Sequence, residues 1–194
     1  MTLISSLTGL FIKLDVLANA KIALLQAPLL TKTMLVITSI GSKAGLVTLS
    51  VIAFAFLAYK KRWLNAILFA LAMLSGLGAE LLIKLMVHRL RPENALIQAS
   101  GYSFPSGHAT MAMLFFLLLI YFFRGDIKNK LWKNAFITIS IVLALLIGFS
   151  RIYLNVHWLS DVIGGFALAL LWFMLSIFVF KKAEQIKPGN ERAV

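Results

Sequence analysis

Apolar residues run along this chain in long unbroken blocks rather than in short alternating stretches. Four blocks fall at roughly 44–59, 63–84, 107–123 and 134–152, and a fifth follows at about 161–180. A bilayer core takes about 20 apolar residues per helical crossing. Backbone inside a bilayer must also satisfy its own hydrogen bonds, so each block predicts a transmembrane helix. The first 43 residues break the pattern: LISSLTGLFIKLDVLANAKIALLQAPLL is apolar but interrupted by Lys13, Asp15, Asn19 and Lys21, and Pro28 stops it. A charge at mid-bilayer costs about 2.5–3.5 kcal/mol on insertion scales. That favours an amphipathic helix at the interface, with a tilted or re-entrant segment as the alternative. The expected fold is all-α, a polytopic transmembrane helical bundle of five spans plus an N-terminal amphipathic or re-entrant helix. One domain is expected over 1–194, with an interfacial segment 1–43, a helical core 44–181 and a cytoplasmic tail 182–194.

Composition sharpens this reading. Of the 194 residues, 61% are hydrophobic and 13% charged, where a soluble domain carries about a quarter charged. The formal net charge of +12 raises nucleic acid as a partner, but the positions of the cations argue against it. Eleven of the 19 basic residues sit in three segments: Lys60, Lys61 and Arg62; Arg124, Lys128, Lys130 and Lys133; Lys181, Lys182, Lys187 and Arg192. Each abuts the end of an apolar block, as cytoplasmic loops do under the positive-inside rule. With no cysteine, disulfides, thiolate catalysis and cysteine-held metals are excluded. The first long apolar block follows no basic region and no small-residue cleavage pattern, so no cleavable signal peptide is expected.

If the basic loops share one face, the other face collects four helix ends, and each carries polar residues. In KLMVHRLRP, Lys84 and Arg91 stand seven apart, about two helical turns, with Pro92 as the expected helix exit. Alone, they read more readily as cations snorkelling at a membrane border. In GYSFPSGHAT, Ser106 and Gly107 open a helix whose free amides and dipole suit an anion, and Gly lets a ligand approach the backbone. Ser at that place also serves simply as a cap. In SRIYLNVHWLSD, Arg151 offers a planar fork for phosphate. His157 and Asp161 are four apart, so on a helix they share a face, either as a structural pair or as an oriented imidazole with one nitrogen free for nucleophilic attack. Together these residues bring two of three histidines, two arginines and a lysine to one face with one aspartate. The missing counter-charge should be a small dense anion, and phosphate fits.

These three motifs resemble the signature of the type 2 phosphatidic acid phosphatase superfamily: Lys84–Arg91–Pro92, then Pro105–Ser106–Gly107–His108, then Ser150–Arg151–His157–Asp161, in the same order and spacing. The resemblance implies a membrane enzyme that cleaves a lipid phosphate. His157 would attack phosphorus to give a phosphohistidine, with Asp161 orienting its ring. Lys84, Arg91, Ser106, Gly107 and Arg151 would hold the phosphoryl oxygens. His108 would protonate the leaving oxygen and then activate water, so activity should fall at high pH. Neither a metal nor another cofactor is implied, because fixed cations take that role.

Undecaprenyl diphosphate is the first expected substrate, ahead of phosphatidylglycerophosphate, phosphatidic acid and lipid A phosphates. The expected place is the cytoplasmic or inner membrane, with the site facing outward. A lipid phosphotransferase and a non-enzymatic anionic-lipid transporter or binder are the alternatives; a vanadate haloperoxidase shares the pocket chemistry but not the membrane helices. Outside the motifs, Glu80 should pair with Lys84 or with a neighbouring helix, and His88 should sit at the interface, with a reach into the site as the alternative. Tyr102 and Phe104 should meet acyl chains or hold the loop at the interface. Ser75–Gly78 should be a helix-packing patch, and Trp63, Trp132 and Trp158 should be interfacial belt residues.

Overall fold

The computed structural model describes the backbone of residues 3–186 and the side chains of residues 11–182; the tail cations Lys187 and Arg192 lie outside that range. Regular structure among the described residues is entirely helical: α1 (Leu3–Ala23), α2 (Pro28–Ile40), α3 (Lys43–Tyr59), α4 (Trp63–Val87), α5 (Gly107–Phe123), α6 (Lys130–Tyr153) and α7 (Leu159–Ile186). Local chemistry marks the starts. Pro28 opens α2 at its first turn, where a missing N–H costs nothing. Ser42 accepts from Gly45 N–H to cap α3, and Asn129 accepts from Leu131 and Trp132 N–H to cap α6.

The expectation of five spans is corrected. Among the described residues, three helices are long and apolar enough to cross a membrane: α4, α6 and the Leu159–Lys182 part of α7. A fourth exists only when α2 and α3 are taken as one span, bent by 47° at their break. Half of that span lies in the segment assigned to the interface. The block at 107–123 is a helix of 17 residues, about 26 Å long against a hydrocarbon core of about 30 Å. Its short length goes with its position. α5 touches α3, α4, α6 and α7, and it buries Ala109, Ala112, Leu114, Phe115, Phe116 and Leu118 on all sides, the pattern of a helix enclosed by protein.

Close helix contacts use small residues, as expected where lipid removes the hydrophobic drive between helices. Gly76 in the Ser75–Gly78 patch faces Leu114 and Trp172, and Ser75 accepts the Trp172 indole N–H at 2.9 Å. On α6, a Cβ added to Gly148 would stand 2.3 Å from the Phe166 ring and 3.0 Å from Val162 Cγ1. Gly148→Ala should therefore cost about 1–3 kcal/mol by overpacking, read as a lower thermal unfolding midpoint; an unchanged midpoint would show that α7 shifts freely.

At the basic end, Arg62 Nη1 reaches Asp126 at 3.0 Å and Nη2 donates to the Phe122 carbonyl at 2.9 Å, so loops 60–62 and 124–129 share one face. The exposed pair contributes little stability. The four polar helix ends lie at the opposite end. α1 packs on α6 and α7 with an inverted pattern: Phe11, Ile12, Val16 and Leu17 are exposed, while Asp15 and Asn19 are buried. The reading of Asp15 and Asn19 as polar interruptions facing an interface is corrected, because both turn inward.

Candidate active site

Each of the converging ends has its own cause. α4 stops at Val87 because His88 turns left-handed (φ 52°), its N–H donating to the Lys84 carbonyl at 3.1 Å. Lys84 is thus helical while Arg91 lies in the following loop, so the expected two-turn helical spacing and the exit at Pro92 are both corrected. That loop folds back: Ser103 N–H donates to the Arg89 carbonyl at 2.7 Å, and Leu96 N–H to the Leu154 carbonyl at 3.0 Å. α6 ends beside Asn155, left-handed at φ 54°, a conformation Asn tolerates. The Asn155 amide donates to the Glu93 carbonyl at 2.6 Å. His157 therefore sits in the turn before α7 rather than on the helix, and only Asp161 is helical. Asp161 accepts the Trp158 N–H at 2.9 Å, the carboxylate half of a capping box.

His157 Nδ1 lies 3.4 Å from Asp161 Oδ2. The Ser103 hydroxyl stands between them, 3.3 Å from Nδ1 and donating to the same carboxylate oxygen. On the other side of the ring, Nε2 lies 3.1 Å from Arg91 Nη1. Guanidinium nitrogens only donate, so Nε2 carries the lone pair and Nδ1 the proton. Arg91 is fixed by backbone carbonyls of Val156 at 2.8 Å, Ser100 at 2.9 Å, Gly101 at 3.0 Å and Tyr102 at 3.4 Å. Burial, the largest effect, brings the His157 imidazole down to about 4; Asp161 opposes this, and Arg91 and Arg151 add to it. Burial also lowers the Arg91 guanidinium from its ordinary value, with Asp161 and Glu80 pulling it back.

The start of α5 joins this centre. Ser106 N–H donates to the Asp161 carbonyl at 3.0 Å. The Ser106 side chain is fully buried and makes neither a cap nor another hydrogen bond among the described residues. Capping is therefore not what its hydroxyl does. Gly107 lies so near Glu80 that a Cβ would stand 2.8 Å from Oε1. Lys84 pairs with Glu80, as expected, and donates to the Pro105 carbonyl at 2.7 Å. Arg151 is buried; its Nη1 donates to Thr38 at 2.7 Å, and its Nε has no partner among the described residues. His108 packs beside Gly41 at the α2–α3 break, within electrostatic reach of Arg151, His157, Arg91 and Lys84.

All eight site residues read from the motifs thus gather at one end of the bundle, whereas His88 is exposed and meets the Tyr102 ring edge-on at 4.4 Å. Sequence reasoning missed Ser103, Thr38, Arg89 and the place of Asp15. Arg89 Nη1 donates to Asp161 Oδ1 at 2.6 Å and Nη2 to Asp15 Oδ2 at 2.5 Å. Asp15 and Asn19, four apart in an apolar helix, were the available signal, since a charge inside an apolar segment marks a partnered site. Glu80 offsets Lys84, and Asp15 and Asp161 hold Arg89. Arg91 and Arg151 are left hydrogen-bonded to neutral groups among the described residues.

Comparison with known proteins agrees with this architecture. The PAP2 superfamily model matches residues 63–185. The chain is 36% identical over 156 residues to phosphatidylglycerophosphatase B of Bacillus subtilis, covering 78% of this chain and 76% of that protein. It is 30% identical over 115 residues to an undecaprenyl-diphosphatase of Sulfolobus acidocaldarius, covering 53% of this chain and about half of that relative (52%). The crystal structure of a transmembrane PAP2 type phosphatidylglycerolphosphate phosphatase from Bacillus subtilis superposes with a TM-score of 0.80 at 33% identity, covering 90% of this chain and 87% of that one. On these matches the chain belongs to the PAP2 superfamily, as a multi-pass membrane lipid phosphate hydrolase.

Proposed function

We propose that this enzyme removes a terminal phosphate from a lipid phosphate or diphosphate at the extracytoplasmic face, with phosphatidylglycerophosphate as first substrate and undecaprenyl diphosphate as second. The observation that carries the phosphate site is a pair of buried donors without partners among the described residues, the Ser106 hydroxyl and Arg151 Nε, in a centre where Arg91 and Arg151 hydrogen-bond no carboxylate among those residues. Burying such donors is costly unless something accepts from them. A phosphoryl group presents several acceptor oxygens and the missing negative charge. The order of lipids reverses the one read from the motifs, because the relative matched over the greater length is a phosphatidylglycerophosphatase.

In this reading Arg91 releases His157 Nε2 to grip the phosphoryl oxygens, and Nε2 attacks phosphorus. The bond to the lipid oxygen breaks while His108 gives that oxygen its proton. Arg151, the Ser106 hydroxyl and the first-turn amides of α5 stabilise the equatorial charge. Water, deprotonated by His108, then cleaves the phosphorus–nitrogen bond, freeing phosphate and His157. Purified protein should release phosphate from phosphatidylglycerophosphate faster than from phosphatidic acid, lipid A or undecaprenyl diphosphate, and leave an acid-labile phosphoenzyme on rapid quench. Label passing to an acceptor lipid without free phosphate would instead identify a phosphotransferase.

The pH dependence has a definite sign. Since the folded His157 titrates near about 4, it is neutral and nucleophilic at all higher pH. The acid limb of kcat/KM should therefore fall near 4, rather than near the ordinary imidazole value of about 6.5. The unfolded chain binds this proton more readily, so the same group lowers stability as pH drops from about 6.5 toward 4. Rates normalised to folded protein with a limb at 6.5 would contradict the buried nucleophile. Burial, and then Arg151, His157, Arg91 and Lys84, hold the His108 imidazole down to about 3, so it gains the proton it donates only with the negative phosphoryl group bound, and the fall at high pH read from the motifs belongs to kcat rather than to the free enzyme.

A further inference from the structure

Resting on the nucleophile role given to His157, we propose that Asp15 of α1 is a positioning residue for catalysis. It holds Arg89, Arg89 holds Asp161, and Asp161 holds the His157 ring. Asp15 lies well before residue 63, where the family match begins, and outside all three motifs.

The geometry leaves Asp15 no other environment. Its side chain is 2% exposed, and both oxygens are engaged. Oδ1 accepts the Ser160 N–H at 2.8 Å; Oδ2 accepts the Ser160 hydroxyl at 2.6 Å and Arg89 Nη2 at 2.5 Å. From the same guanidinium, Nη1 donates to Asp161 Oδ1 at 2.6 Å and to the Ser160 hydroxyl at 2.6 Å. The Trp158 ring lies under the guanidinium at 5.7 Å, so the planar fork has little freedom to turn. Two carboxylates therefore meet the start of α7, where free amides and the helix dipole favour negative charge. One of them orients His157 directly. The other reaches it only through Arg89.

A simple staple of α1 onto the bundle would need only the two Ser160 bonds. The added bridge through Arg89 does something more. With Asp15 present, the Arg89 charge is divided between two carboxylates, and Asp161 keeps one oxygen for Ser103, Trp158 and the Nδ1 proton. Without it the whole charge falls on Asp161, which is drawn toward Arg89 and away from the ring. Asn19, one turn further along α1, donates to Asn155 Oδ1 at 2.8 Å and to the His157 carbonyl at 3.3 Å. One face of α1 thus grips both the nucleophile's backbone and the carboxylate that orients its ring.

The test is a double-mutant cycle on phosphate release by the full-length enzyme, with rates normalised to monodisperse folded protein. Asp15→Asn and Arg89→Gln should each lower kcat about 10–100-fold, the scale of a small misplacement of reacting groups, with KM moving less than about threefold. The double variant should be no slower than the worse single, because both remove one connection. Multiplying effects, or a kcat for Asp15→Asn equal to wild type, would overturn the positioning role. If Asp15→Asn does not fold, Arg89→Lys takes its place: it keeps the charge, cannot span both carboxylates, and should show the same drop; a wild-type kcat there would also overturn it. His157→Ala serves as the separate control. If it retains turnover, the nucleophile assignment itself fails, whereas an inactive His157→Ala beside a fully active Asp15→Asn discards only the role of Asp15.

Discussion

His157→Ala should lose about 10⁴-fold or more in kcat, the scale seen when a covalent nucleophile is removed. Two features make this result interpretable. Arg91 loses its contact with Nε2 but keeps four backbone carbonyl partners, those of Val156, Ser100, Gly101 and Tyr102, so the loop that shapes the site keeps its fold. Asp161 still accepts from Ser103, Trp158 and Arg89, so the start of α7 also survives. The variant should elute as wild type does, bind lipid, and show no acid-labile phosphoenzyme. Turnover retained at more than a few per cent would assign the attack to another group.

Asp161→Asn should produce the second largest loss, about 10³–10⁴-fold in kcat, because an amide no longer fixes the tautomer that leaves Nε2 free. Every acceptor position of this carboxylate faces a donor: Arg89 at Oδ1, and Ser103, Trp158 N–H and His157 Nδ1 at Oδ2. An amide NH₂ at either place points at one of them. The variant also leaves Arg89 with one carboxylate in a site largely shielded from water. Stability should therefore fall by about 3–5 kcal/mol, visible as an earlier thermal transition, alongside the kinetic loss that His157→Ala shows without it. Activity near wild type would mean that Ser103 alone orients the ring.

Much of this was readable from residue order, for physical reasons that also explain what was not. Lipid sets a minimum run length, so the blocks at 63–84, 134–152 and 161–180 lie within helices observed at Trp63–Val87, Lys130–Tyr153 and Leu159–Ile186. Charge excess at four helix ends pointed to an anion because cations that cluster need one. The α2 helix was hidden because Pro28 serves equally as a stop and as a start. Arg89 was hidden between Lys84 and Arg91, where one more cation carries no spacing signal. Asp15 read as a cost because its partners, Arg89 and Ser160, lie 74 and 145 residues away, and no local pattern reports so distant a bond. Ser106 read both as a cap and as a phosphate contact because its position suits either; only its unpartnered hydroxyl separates the two roles.

The inward-facing carboxylate on α1 also sets a timetable for biogenesis. The Ser160 amide from which Asp15 accepts is 145 residues downstream of it. At synthesis rates of roughly 5–20 residues per second, that partner arrives about 7–30 s later. Throughout that interval the nascent α1 carries a carboxylate with neither Arg89 nor Ser160 in place, or with Arg89 alone. The helix must wait where water or the insertion machinery can solvate it, and can settle only after Ser160 has been made. Assembly of the reaction centre therefore waits on the start of α7, and a chain interrupted before residue 160 leaves α1 undocked rather than a partly active enzyme.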